Sequence, residues 1–190
     1  MLSAERKREW DDQGFFIIRN FAPIEECRAI HARVIEICRL NAAGKSTPNV
    51  FVLPEKKPNP LARNPEDSVG KVFRLHRDPI FKKLVEDPEV VGLVSDLIGP
   101  DLDCFVSQFI FKNHGALGQP WHQDSYYFAF NARPQVGIWL AVTEENRAAA
   151  EAAGDALGSA PALATIADAA QAGSPPAPGS PATGPQTPAA

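Results

Sequence analysis

Histidine and cysteine, the side chains from which most metal sites and nucleophilic centres are built, are scarce here. The chain of 190 residues has four histidines and three cysteines. Cys27, Cys38 and Cys104 are odd in number and lack the paired spacing of zinc sites. Cys27 and Cys38 lie eleven residues apart on an expected helix, too far to bridge within it. A disulfide scaffold is excluded, and reduced thiols in a cytoplasmic protein are expected. Excess charge of one sign is also missing. With 19 basic and 23 acidic side chains the net charge is −4, which leaves no electrostatic footprint for nucleic acid or an anionic membrane. No apolar run follows the polar start Met1–Arg8, and none elsewhere reaches membrane-spanning length, so neither a targeting segment nor a membrane span is expected.

The most uneven absence is local. From Ala148 onward there is no aromatic residue, lysine, arginine or histidine, but there are 17 alanines and seven prolines. Such a segment cannot bury enough apolar surface to offset its ordering entropy. The reading is one domain over 1–146 and a disordered low-complexity tail over 147–190.

What is present within 1–146 reads as helices followed by strands. Residues 4–13 form a short polar helix stopped by Gly14, and Phe15–Arg19 is a compact apolar run expected as a strand. Over 23–41, Ile24, Cys27, Ile30, Val34, Ile37 and Cys38 recur at three- and four-residue steps, an amphipathic helix with Pro23 in its first turn. His31 falls on it as a structural histidine. Prolines and glycines make 41–70 irregular, either a lid or a surface excursion. Lys71–His76 alternates as a strand. Asp78-Pro79 and Asp87-Pro88 each pair a cap with proline at the first helical position. The second of these opens a helix over 88–98, burying Val90, Val91, Val94 and Ile98 and ending at Gly99. Leu102–Lys112 alternates over a long stretch with both faces largely apolar, as in a sandwiched strand or a barrel wall. Gln108 and Lys112 are polar exceptions on one face. They mark either a site or an open end of the sheet that reaches water.

The chemistry concentrates in Gln119-Pro120-Trp121-His122-Gln123-Asp124-Ser125-Tyr126-Tyr127-Phe128. In an extended segment residues two apart share a face, so His122 and Asp124 would present an imidazole and a carboxylate to one point. Two histidines and a carboxylate on one side of a divalent iron leave its opposite positions open for a bidentate cosubstrate and dioxygen. The bland alternative is a hydrogen-bonded pair with no metal. His114, in the preceding turn, is read as solvent-facing. Val136–Thr143 follows as a strand, with Gly137 and Trp139 on one face and Val136, Ile138, Leu140 and Val142 on the other.

This string, with Gly137-Ile138-Trp139-Leu140 behind it, resembles the phytanoyl-CoA dioxygenase family from about Trp10 to Asn146. The resemblance implies an Fe(II)- and 2-oxoglutarate-dependent dioxygenase that hydroxylates a small-molecule or acyl substrate with O2. The implied fold is mainly β with N-terminal helices, a double-stranded β-helix of the jelly-roll, cupin-like kind. Carried over residue by residue, His122 and Asp124 are metal ligands, and Lys71, Gln108 and Trp139 align with positions lining the cosubstrate pocket. The family pattern also expects a second histidine and an arginine downstream. In this sequence the last histidine is His122 and the last arginine Arg147. The expectation is therefore a chain truncated or frameshifted after about Asn146, an incomplete barrel with uncovered apolar surface. The alternatives are a non-catalytic remnant and a metal-free jelly-roll binding module. Substrate identity and oligomeric state stay open.

Overall fold

The computed structural model describes residues 2–57, 59–113, 124–128 and 134–143. Helix α1 spans Ala4–Gln13. The Ser3 hydroxyl accepts from the Arg6 amide at its start, and Gly14, at φ 80°, closes it by donating its amide to the Trp10 carbonyl. The apolar run after it does not become the expected strand. Gly14 and Asn20 (φ 55°) both adopt left-handed backbone and turn the chain at either end of 15–19. Phe16 packs edge-on against Trp10 instead, with ring centroids 6.1 Å apart.

Helix α2, Ile24–Ala42, lies where the apolar period places it. Its buried stripe is Ile30, Val34, Ile37 and Cys38, beginning six residues later than the pattern suggests, because Ile24 is exposed and Cys27 only partly buried. This stripe packs on a three-stranded antiparallel sheet made of β1 (Phe51–Pro54), β2 (Val69–Phe73) and β3 (Gln108–Ile110), with β2 in the centre. Val69, Val72, Leu75 and Phe81 complete the buried cluster, and Val52, Phe109 and Phe111 pack around it. A bulge between Leu53 and Pro54 shifts the β1–β2 register. It lets Val69 and Val72, three residues apart, both reach the core.

β1 rises from the stretch read as irregular. Its sequence signal is the run Val50-Phe51-Val52-Leu53, held between Asn49 at φ 61° and Pro54. β2 ends three residues earlier than expected, just before the left-handed Arg74 (φ 61°), after which Leu75–Arg77 makes a tight turn that buries Leu75. The long strand expected over 102–112 is regular only at β3. Phe105 and Val106 are consecutive and both exposed, so the alternation breaks there. Val136–Thr143 is likewise not a paired strand. Leu140 and Val142 still pack on the core, while both Ile138 and Trp139 are exposed.

Two short helices follow, α3 (Pro79–Val85), whose Phe81 joins the core, and α4 (Pro88–Ile98), which packs on α3, each with proline in its first turn. The Asp87 carboxylate accepts from the Glu89 and Val90 amides. Of the four residues expected to be buried by α4, Val90 is buried and Val91 is exposed. Asp78 caps α3 through the Ile80 amide and also receives Arg33 of α2 at 2.8 Å. A second cross-element pair joins Arg39 of α2 to Glu66, whose two oxygens accept at 2.6 and 3.2 Å. Helices plus a small antiparallel sheet make the described residues an α+β arrangement. No helix among them is long and apolar enough to cross a membrane.

Candidate active site

Strand register decides which side chains share the outer face of the sheet. Lys71 pairs with Ile110 on one side and Leu53 on the other, and Phe73 pairs with Gln108 and Phe51. Val72, between them, pairs with Val52 and Phe109 and points into the core. Side chains alternate along a strand, so Lys71 and Phe73 face away from α2, and their partners with them. Two rows result, Leu53–Lys71–Ile110 and Phe51–Phe73–Gln108. Lys71 and Gln108 are diagonal neighbours on this grid, about 7–8 Å apart at the backbone. The structure thus brings together two of the side chains singled out in the sequence.

The chemistry of this face is mixed. The Lys71 ammonium sits 5.9 Å above the centre of the Phe73 ring, which fixes the charge over an aromatic surface. Among the described residues no carboxylate pairs with it, so its charge is available to an anion. Around it stand Phe51 at 58 %, Leu53 at 39 % and Ile110 at 38 % exposure, high for side chains of this size.

Asp124 opens a single helical turn, α5 (Asp124–Tyr127), closed by the Phe128 amide on the Asp124 carbonyl at 3.0 Å. This departs from the extended geometry from which a shared face for His122 and Asp124 follows. The alternation argument needs strand backbone, and the backbone is helical from Asp124 onward. The turn is tied to the sheet, because Phe128 packs edge-on on Phe105 at 5.2 Å, three residues before Gln108. The Asp124 side chain is exposed. His122 and His114 lie outside the described residues. Among those described, no group of three His, Cys, Asp or Glu side chains is placed to hold a metal ion. Trp139 is exposed on the segment held down by Leu140 and Val142, and Lys112 is exposed beyond the end of β3.

The other titratable groups are structural. His76 Nδ1 lies 2.7 Å from Ser107 Oγ, and the His76 amide donates to the same oxygen at 2.8 Å. Burial, helped by Arg77, holds this imidazole below its usual range. It joins the end of β2 to the approach of β3 and is no ligand. The His31 ring lies tilted against Phe109, with centroids 6.3 Å apart. All three cysteines are free, and burial pushes the Cys38 thiol up to about 11, which keeps it protonated and inert.

Comparison with known proteins now bears on this geometry. Residues 10–150 match the phytanoyl-CoA dioxygenase (PhyH) family. The chain belongs to that family. It is 31 % identical over 162 residues to a probable phytanoyl-CoA dioxygenase of Caenorhabditis elegans, covering 78 % of this chain and 50 % of that protein. It is 28 % identical over 171 residues to phytanoyl-CoA dioxygenase 1 of Oryza sativa subsp. japonica, with 77 % and 61 % covered. Against phytanoyl-CoA dioxygenase domain-containing protein 1 of Mus musculus the identity is 28 % over 182 residues, with 75 % and 60 % covered. The chain therefore spans between half and about three fifths of the length of these curated relatives. No solved structure matches it. Among the described residues the Lys71/Gln108 face is the best-formed candidate site. Phe51 and Leu53, which share this face, lie in the stretch read from its prolines and glycines as either a lid or a surface excursion.

Proposed function

We propose that this chain carries the cosubstrate face of an Fe(II)/2-oxoglutarate-dependent dioxygenase, built as part of a double-stranded β-helix over residues 1–146. The observation that carries this is the juxtaposition of Lys71 and Gln108 on one sheet face, beside the strand end to which the Asp124 turn is tied. On this reading His122 and Asp124 hold the iron, which when bound supplies the activation of O2. Overall, one oxygen atom enters a C–H bond of the substrate and the other enters succinate, as 2-oxoglutarate loses CO2 and provides the two electrons.

The work of the chain is to bind and orient. Lys71, steadied over Phe73, offers a point charge to a carboxylate of 2-oxoglutarate. Gln108 offers an amide that both donates and accepts, one diagonal step away. Trp139 would wall the same pocket. Phe51, Leu53 and Ile110 keep water from the edge of the face, which strengthens the charge–carboxylate attraction. The substrate is a small molecule or acyl compound, and the setting is the cytoplasm.

Anaerobic titration with Fe(II), with and without 2-oxoglutarate, tests the reading. The weak visible charge-transfer band of the ternary complex is expected, and His122→Ala or Asp124→Ala should abolish it. If folded protein gives no band at saturating Fe(II) and 2-oxoglutarate, the chain is a metal-free jelly-roll binding module or a non-catalytic remnant.

A further inference from the structure

Gln108 stands where a strand is least supported. It is the first residue of β3, which among the described residues is a short edge strand paired only with β2. Just before it the alternation breaks at Phe105 and Val106, both exposed. A strand end of this kind frays unless something holds it. What holds it is Ser107. The Ser107 carbonyl accepts from the Arg74 amide at 2.9 Å. Its Oγ accepts from the His76 amide at 2.8 Å and lies 2.7 Å from His76 Nδ1. Arg74 and His76 both belong to the turn directly beyond Phe73, the residue that pairs with Gln108. Arg74 enters that turn at φ 61°, a backbone that an arginine keeps only where its surroundings over-determine it.

The clip also fixes its own protons. An amide can only donate, so Ser107 Oγ accepts from it and directs the hydroxyl proton to Nδ1, which makes the imidazole a neutral acceptor. A protonated ring would turn Nδ1 into a second donor to that oxygen and leave the hydroxyl proton without its acceptor. Burial and the neighbouring Arg77 and Arg74 disfavour the charged ring, and Asp103, on the approach to β3, favours it. The balance holds the imidazole below its usual range.

We propose that His76 and Ser107 are positioning residues for the cosubstrate, a clip that holds Gln108 in line with Lys71 while the imidazole is neutral. This rests on the oxygenase reading and adds to it the residues that keep the amide in place. Neither side chain touches 2-oxoglutarate; both act through Gln108.

The test is anaerobic calorimetry of Fe(II), and then of 2-oxoglutarate, on the full chain in a double-mutant cycle. His76→Ala and Ser107→Ala should each weaken 2-oxoglutarate about three- to tenfold, the worth of one neutral hydrogen bond, and leave Fe(II) affinity unchanged. In a Gln108→Ala background the same substitutions should have no further effect. Ser107→Ala, which leaves the imidazole in place, carries the cycle if His76→Ala does not fold. His76→Asn puts an amide oxygen where Nδ1 stands, so it should recover the affinity. Its ratio to wild-type affinity should rise as pH falls below the usual imidazole value of 6.5, because the amide does not protonate. If wild type binds 2-oxoglutarate but the alanine variants bind it equally well, or lose as much without Gln108 as with it, the positioning role is wrong and the oxygenase reading stands. The role is also wrong if His76→Asn binds no better than His76→Ala. If wild type does not bind 2-oxoglutarate, the oxygenase reading fails and the positioning role fails with it.

Discussion

The inner face of the sheet sets Val52, Val72 and Phe109 against the α2 stripe, and it closes so well that Val34 and Val72 are wholly buried. The outer face, one residue out of phase on the same three strands, leaves Phe51, Leu53 and Ile110 in the open around a lysine and a glutamine. Both faces come from the same two-residue alternation. They differ in what meets them: a helix from the same chain inside, and outside nothing among the described residues. Side chains on the inner face are held by shape, so replacing them changes stability. Those on the outer face are held by little, so replacing them should change binding and spare the fold. A substitution that violated this division would show that the two faces are not the independent structures the register makes them.

The largest effect is expected from Ile37→Ala, at 1 % exposure in the centre of the stripe. It removes three carbons from a packed site and should cost about 2–5 kcal/mol in urea unfolding. Affinity of the remaining folded molecules for 2-oxoglutarate should not change. Loss of both together would mean that the inner packing shapes the outer face.

Asp78→Ala comes next. Its carboxylate is 3 % exposed, caps α3 and pairs with Arg33, so the substitution removes a cap and leaves the Arg33 guanidinium with the exposed Glu36 as its remaining carboxylate. A loss of about 3 kcal/mol is expected in thermal unfolding. Asp78→Asn keeps a capping oxygen and should lose less, and equal losses would assign the whole effect to the ion pair.

Acid should open the inner face before neutral conditions do. The Arg39 guanidinium holds the Glu66 carboxyl below its usual value of 4.5. The unfolded chain then takes up a proton at Glu66 more readily than the folded one. The stabilisation is complete above about pH 4.5 and is lost as pH falls through the lower folded value. His76 acts in the same direction at higher pH, because its depressed imidazole makes the unfolded state the better proton acceptor just below 6.5. Glu66→Gln should flatten the lower part of the stability–pH curve and His76→Gln the upper part. Unchanged curves would show that neither group is linked to folding.

Much of this division was legible from residues alone, and the exceptions have physical causes. The α2 stripe, the two Asp-Pro helix starts and the stops at Gly14 and Gly99 rest on local chemistry, which neighbours seldom override. Strands depend on partners. Phe15–Arg19 had the composition of one but is bounded by two left-handed turns, and the 102–112 stretch breaks its alternation at Phe105-Val106, before β3 pairs with β2. β1 was obscured by proline on both sides, although its apolar run was intact. For the site, the sequence could nominate Lys71 and Gln108 separately, 37 positions apart. Only the β2–β3 register brings them to one face. The shared direction of His122 and Asp124 was inferred from strand spacing, whereas the backbone is helical from Asp124 onward and His122 lies outside the described residues.

The smallest effect on folding, and the sharpest test of the comparison, belongs to Lys71→Ala. The side chain is only partly buried, has no ion pair among the described residues, and gives the fold little beyond a 5.9 Å approach to Phe73. Stability should change by no more than about 0.5 kcal/mol, as for a surface site. Binding should not be so tolerant. A carboxylate brought to this face without the ammonium gives up its water for apolar neighbours and one amide, so 2-oxoglutarate affinity is expected to fall by at least about tenfold. Lys71→Arg keeps the charge but widens the donor, and should recover part of that loss. Gln108→Ala should lose less than Lys71→Ala, since a neutral hydrogen bond is worth about half a charge-assisted one. If Lys71→Ala instead lowers the melting temperature as Asp78→Ala does, the outer face is a second core awaiting cover by protein, and the division drawn from the register does not hold.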